Sequence, residues 1–233
     1  MGNSKHTIKG FPLVRFKSKG RIESFRRGEI YFNTLKWYRE HEENNVVDDI
    51  FEGMVHINEA TAITTPINGG ETQIEKLEDV LLKTTHSNDF VSCLFSVNPK
   101  NDFFQFDEIQ KIELQKFGDT ALLITDADEL LRRIAVAVDR EKLKGRYGFV
   151  QYYNEKTDLI NLWISLMQDM GNIAFWKRKS YSYQQEFRIT LLNDKSAENY
   201  TLNIGSIYDI SEVFNTSQIL NSMVFEHKVN EKQ

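Results

Sequence analysis

The 233-residue chain holds one cysteine and three prolines, and no apolar run approaches the ~18 residues that a membrane-spanning helix needs. A lone thiol, Cys93 in the segment FVSCLFS, excludes an internal disulfide and a multi-cysteine metal cage. Its apolar neighbours mark it as a small buried hydrophobe. With so little proline there is no stiff linker at which to divide the chain, so one domain over residues 1–233 is expected, with flexible ends at 1–10 and 230–233. Excess positive charge is also missing: 29 Lys and Arg face 34 Asp and Glu, a net charge of −5. That balance argues against general binding of nucleic acid or an anionic membrane. The N-terminus, MGNSKHTIKG, has no signal-peptide core and no Ser or Thr at the sixth position of the myristoylation pattern, so a cytoplasmic location is expected.

Several chemical motifs are lacking too. His6, His41, His56, His86 and His227 are scattered without ligand spacing, and no metal is expected. There is no nucleophile elbow, no phosphate-cradling glycine loop and no dinucleotide fingerprint. A nucleotide would therefore occupy some other kind of cleft.

What is present is a series of short strand signals near residues 13, 30, 55, 92, 122, 150, 187 and 202, separated by loops and a few helices. They predict an α+β fold with a mixed or mostly antiparallel sheet and flanking helices. Helical patterns cover Gly20–Gly28, Glu108–Phe117, Asp126–Lys144 and Leu159–Met170, with weaker ones over Glu71–Ser87 and Ile210–Leu220. Phe90–Ser96 is apolar enough to be a central strand, with Ser92 and Ser96 sharing one face.

The chain is organised around Phe175–Leu191, FWKRKSYSYQQEFRITL, where a cationic, aromatic turn leads through Gln184, Gln185 and Glu186 into the alternating strand Phe187–Leu191. Glu186 thus sits at the mouth of a core strand, held by the scaffold while the adjoining loop delivers a ligand. The plainer alternative is a solvated carboxylate paired with Arg188 or a nearby lysine. Arg15, among apolar neighbours in the first strand, needs an anion or a carboxylate partner. Asp48, Asp49 and Glu52 lie within five residues of one another but lack the alternate-oxygen pattern of an ion loop. They are expected to cap a turn or pair with an arginine.

The runs Gly28–Phe32 (GEIYF), Asp48–Glu52 (DDIFE) and Tyr183–Arg188 (YQQEFR) together resemble a bacterial and phage family of unknown function, which has an N-D-P-F-E segment after its early strands and an aromatic-x-x-E-x-R segment near its end. More distantly, Arg15, then Ser92 or Ser96, then Gln184-Gln185-Glu186 is similar to the order of motifs in toxin-type ADP-ribosyltransferases. This second resemblance implies NAD as substrate: the arginine holds the pyrophosphate, the serine orients the nicotinamide ribose, and the last carboxylate stabilises the emerging oxocarbenium ion. On the two resemblances Glu186, Gln184 and Arg15 are candidate catalytic residues, and Tyr31, Ser96, Tyr183, Arg188, Asp49 and Glu52 candidate substrate-binding residues. The function so implied is ADP-ribosyl transfer from NAD, in phage–host conflict or a toxin or defence system. The alternative is a non-catalytic module that sequesters a nucleotide or small molecule or blocks a protein partner. Arg15 and Glu186 facing one cleft would favour the first, and Arg15 buried against Asp49 or Glu52 the second.

Overall fold

The mostly apolar segments Leu13–Lys17 and Phe90–Ser96 and the alternating segment Glu186–Leu191 form the centre of a sheet from which the other elements are hung. The computed structural model describes residues 8–40, 49–64, 73–97, 103–154, 158–194 and 196–226, with backbone alone for 56–64, 73–80, 103 and 226. In chain order the elements are β1 (Leu13–Lys17), α1 (Lys19–Arg26), β2 (Glu29–Thr34), α2 (Leu35–Glu40), β3 (Met54–Thr64), β4 (Gln73–Lys83), β5 (Phe90–Ser96), β6 (Phe103–Phe104), α3 (Glu108–Gln115), β7 (Thr120–Ile124) and α4 (Ala127–Arg140). The second half adds β8 (Gly145–Phe149), β9 (Gln151–Tyr153), α5 (Leu159–Gln168), β10 (Trp176–Arg178), β11 (Glu186–Leu191), β12 (Asn199–Asn203), β13 (Ser211–Asn215), α6 (Thr216–Ser222) and β14 (Phe225–Glu226).

Eight strands form the main sheet in the order β12-β2-β5-β1-β7-β13, with β11 on the other side of β5 and β8 beyond it. Every pairing in it is antiparallel; the parallel pair is the separate β9–β10 ribbon. This is the α+β architecture expected from the strand spacing. Among the described residues no helix is long and apolar enough to cross a membrane.

The detail that matters for the site is a fork. Along one edge β5 pairs with β11 over Phe90–Phe95. Along the other it pairs with β2 at Phe90 and Val91 and with β1 at Phe95 and Ser96. β1 and β2 run parallel to each other, joined by the α1 crossover, and leave the edge of β5 at opposite ends. Among the described residues, Ser92, Cys93 and Leu94 therefore have no ladder partner on that side.

Alternation divides the apolar residues between the two faces. Leu13, Phe32, Leu94, Phe187 and Ile189 meet Ile22 and Phe25 of α1 and Leu130, Leu131 and Ile134 of α4. On the opposite face Val14, Phe16, Phe95 and Leu123 meet Leu114 of α3 and Ile219 and Leu220 of α6. A further cluster on Val55, Leu162, Leu166, Ile173 and Trp176 joins α5 to β9, β10 and the start of β3. The expected start of α4 is present, with the Asp126 side chain accepting from the Glu129 N–H at 3.0 Å.

Two helical expectations are corrected. Residues 73–83 form β4, zipped antiparallel to β3, with one 3₁₀ turn at Thr85–Asn88. The 3–4 residue spacing of Ile74, Leu77 and Leu81 imitates a helix, and the upstream partner strand overrides it. Ile210–Leu220 is split: Ser211–Asn215 pairs with β7, and Asn215 then caps the short α6 by accepting from the Ser217 N–H. At the N-terminus residues 8–10, expected to be flexible, are docked on the entry to α4: the Lys9 N–H donates to the Thr125 carbonyl and its carbonyl accepts from the Ala127 N–H. Residues 1–7, residues 65–72 with the first two positions of the expected 71–87 helix, and the 230–233 tail lie outside the described residues.

The turn between α1 and β2 depends on Gly28, which has φ +94° and whose missing Cβ would lie 2.0 Å from the Gly205 carbonyl oxygen. Gly28→Ala is expected to lower stability by about 1–3 kcal/mol from backbone strain alone, with the clash in addition. A thermal unfolding midpoint equal to that of wild type would contradict this close approach.

Candidate functional site

The six residues of β11 are all buried, and alternation puts Glu186, Arg188 and Thr190 on one face, opposite Phe95, Cys93 and Val91 of β5. Arg188 is the centre of a charged network and is only 2% exposed. Its Nε donates to Glu186 Oε2 at 2.6 Å, Nη1 to Glu52 Oε1 and the Ala174 carbonyl at 2.7 Å each, and Nη2 to Glu52 Oε2 at 3.0 Å. Lys177, from β10, donates to Glu186 Oε1 at 2.8 Å and Gln184 Oε1 at 2.7 Å and lies 3.3 Å from Glu52 Oε2. Both oxygens of both carboxylates are engaged, and two anions balance two cations. The Glu186 N–H donates to the Tyr152 hydroxyl at 2.8 Å.

Burial opposes ionisation of Glu186 and Glu52, but Arg188 and Lys177 outweigh it and hold both carboxyls below their ordinary range. Burial likewise opposes charge on Lys177 and Arg188, and the carboxylates raise both above their ordinary values. The network is fully ionised at neutral pH. Asp49 is beside it rather than in it: Oδ1 accepts from Arg178 Nη2 at 2.7 Å and from the Phe51 N–H at 3.1 Å, so it caps a turn and pairs with an arginine.

Against this network lies a pocket of about 80 Å³, walled by β1, β5, Tyr38, the end of α3 and the charged cluster. Its other charged side is the fork. Arg15 reaches across the gap, donating from Nη1 to Ser92 Oγ at 3.0 Å and to the unpaired Cys93 carbonyl at 3.2 Å, with its guanidinium 4.6 Å from the centroid of Phe25. Lys17, two residues on, has its Nζ 5.4 Å from the centroid of Phe117. Among the described residues no carboxylate lies within ion-pair distance of Arg15 or Lys17. Burial, with Arg15 next, lowers the Lys17 ammonium to about 8, and burial also lowers the Arg15 guanidinium. Burial pushes the Cys93 thiol up to about 12, with the Glu186 charge adding to it, so this pocket residue is a poor nucleophile.

Of the residues singled out from sequence, Arg15, Glu52, Gln184, Glu186 and Arg188 line this one pocket. Tyr31, Ser96, Tyr183 and Asp49 do not. Tyr31 sits in the stretch of β2 paired with β12 and is 40% exposed. Ser96 is buried and its hydroxyl is used by the Pro12 and Val97 carbonyls, so of the two serines only Ser92 meets Arg15. Tyr183 lies by α3, its carbonyl accepting from Gln110 and its hydroxyl from Gln184. Lys17, Lys177, Tyr38 and Cys93 were missed. The i, i+2 spacing from Arg15 is a local signal for Lys17, whereas the burial of Lys177 has none. Among the described residues no group of three His, Cys, Asp or Glu is placed to hold a metal ion. No family model, curated protein or solved structure matches the chain.

Proposed function

We propose that this chain binds a small anionic molecule, with Arg15 and Lys17 receiving the anion and Phe16, Tyr38, Phe95 and Phe117 contacting the group attached to it. The observation that carries this reading is the pair of half-buried cations that have no carboxylate partner among the described residues. A desolvated, uncompensated cation lowers stability, and a bound anion removes that cost. Four cations and two carboxylates line the pocket, an excess of two positive charges that matches a phosphate monoester dianion. At about 80 Å³ the pocket is well below the ~300 Å³ at which sites for drug-sized ligands begin. It accepts one end of a nucleotide, not the whole of a dinucleotide.

Calorimetric titration with ADP-ribose, NAD and inorganic phosphate tests this. Binding is expected to weaken with salt and to weaken again as pH rises through about 8, where Lys17 loses its proton. Absence of binding by all three probes would end the proposal for phosphate-bearing ligands.

A second reading, ADP-ribosyl transfer from NAD, is favoured by one observation: Arg15, which holds the Ser92 hydroxyl, and ionised Glu186 line one pocket. Against its ranking first is the full engagement of the Glu186 carboxylate by Lys177 and Arg188, which diminishes the field available to an emerging sugar cation. Incubation with NAD and lysate separates the two readings. Nicotinamide release that Glu186→Gln lowers by about 10²–10³ would support transfer, and ADP-ribose binding without release would support the binding module.

A further inference from the structure

β8 is an outer strand of the main sheet, and among the described residues only β11 pairs with it. The Lys144 carbonyl accepts from the Leu192 N–H and the Val150 N–H donates to the Glu186 carbonyl. Even-numbered residues therefore bond to β11, and the unbroken register leaves the N–H and C=O groups of Gly145, Tyr147 and Phe149 turned outward. The same three residues share a sheet face. Their aromatic side chains pack on Phe187, with ring centroids 6.0 Å (Tyr147) and 5.2 Å (Phe149) away, yet remain 56% and 41% exposed. Natural edges are normally blunted by charge, proline or a bulge. Here Arg146 is the one charged residue, and it is tied to Asp169 at 2.6 Å on the opposite face.

We propose that this edge is the two-fold interface between two copies of the chain, β8 pairing antiparallel with its counterpart about Tyr147. Outward-facing Tyr147 exchanges both backbone bonds with the second copy's Tyr147, and Gly145 pairs with the second copy's Phe149 and the reverse, giving about six hydrogen bonds. Side chains are matched in this register. Each Phe149 lies over a glycine, covering backbone that an edge glycine leaves bare, and the exposed aromatics become one row across the axis. Arg146 faces the second copy's Gly148, so no like charges are directly opposed. The other two outer strands fit less well: β12 carries none of the large exposed hydrophobic residues, and the exposed Val213 of β13 adjoins Glu212.

Sedimentation equilibrium of the full chain, repeated on Tyr147→Lys and Val213→Lys, tests the proposal. Wild type is expected to sediment as a dimer and Tyr147→Lys, which places two ammonium groups face to face, as a monomer with an unchanged circular dichroism spectrum. Val213→Lys should remain a dimer. If Tyr147→Lys is poorly folded, Phe149→Pro is the replacement, since an outward-facing N–H is lost without breaking the bonds to β11. A monomeric wild type up to the solubility limit, a folded β8 variant that stays dimeric, or a dimer abolished by Val213→Lys would each overturn it.

Discussion

Arg188→Met is expected to lower the stability of the fold by about 3–5 kcal/mol, the scale on which removing one partner of a buried ion pair acts. At about 2–4 °C per kcal/mol for a domain of this size, the thermal midpoint should fall by roughly 6–20 °C. The reason is specific to this arginine. It serves both carboxylates, and without it Glu52 and Glu186 share Lys177 alone in a site from which water is excluded. The Ala174 carbonyl also loses its donor. The loss should grow with pH. In the variant the two carboxyls are desolvated without adequate compensation, so their folded values rise and the folded state resists ionisation as pH increases. Wild type shows the opposite sign. Its carboxyls are depressed in the folded state, so their contribution is complete above the unfolded value of about 4.3 and is lost only as pH falls through the lower folded values. A Met variant as stable as wild type, or one that gains stability with rising pH, would show that the network does not hold β11 to the Glu52 turn.

Lys17→Met is the reverse case, with a large effect on ligand and none of that cost. Among the described residues Lys17 has no carboxylate partner, and its ammonium is destabilised by burial and by Arg15, so removing it should leave the thermal midpoint equal or higher. Stability given up at a binding residue is commonly recovered when that residue is neutralised. Affinity for ADP-ribose should fall by about 10–150-fold, the equivalent of roughly 1.5–3 kcal/mol for a charge-assisted hydrogen bond. Arg15→Met should weaken binding as much but lower the midpoint as well, because the Cys93 carbonyl and Ser92 hydroxyl then lose their donor. Thermal scans and titrations on the two variants check both halves. A Lys17→Met protein that is clearly less stable, or binds equally well, would contradict the assignment.

The centre of this arrangement was readable from the sequence because it is local. Period-two alternation after Gln185 identifies a strand with Glu186 at its start, and the nearest cations, Arg188 and Lys177, are both within nine residues of it. What local pattern does not convey is how many chain segments cover that strand. Glu52 comes from 136 residues away to meet Arg188, and with it a surface ion pair becomes a closed four-charge network. The choice between Ser92 and Ser96 had the same origin. They lie on the same face of one strand, and only the place where β1 and β2 part from β5 decides that Ser92 meets Arg15. In the sequence Lys17 reads as a strand-end lysine, which is ordinarily solvated. Its significance comes from the absence, among the described residues, of a carboxylate in its tertiary surroundings, which sequence spacing does not display. The 73–83 strand departs from its sequence pattern for a related reason, its apolar spacing being helical while its hydrogen-bonding partner lies upstream.

The most direct test of the anion-site account is the titration of the Lys17 ammonium itself, followed by NMR of lysine side-chain carbons and assigned with Lys17→Met. In the free protein it is expected to titrate near 8, and saturating ADP-ribose should raise that value, since an opposite charge nearby favours the protonated form. A Lys17 that titrates near the ordinary 10.4 of a solvated lysine, and does not move when ADP-ribose is added, would contradict the account.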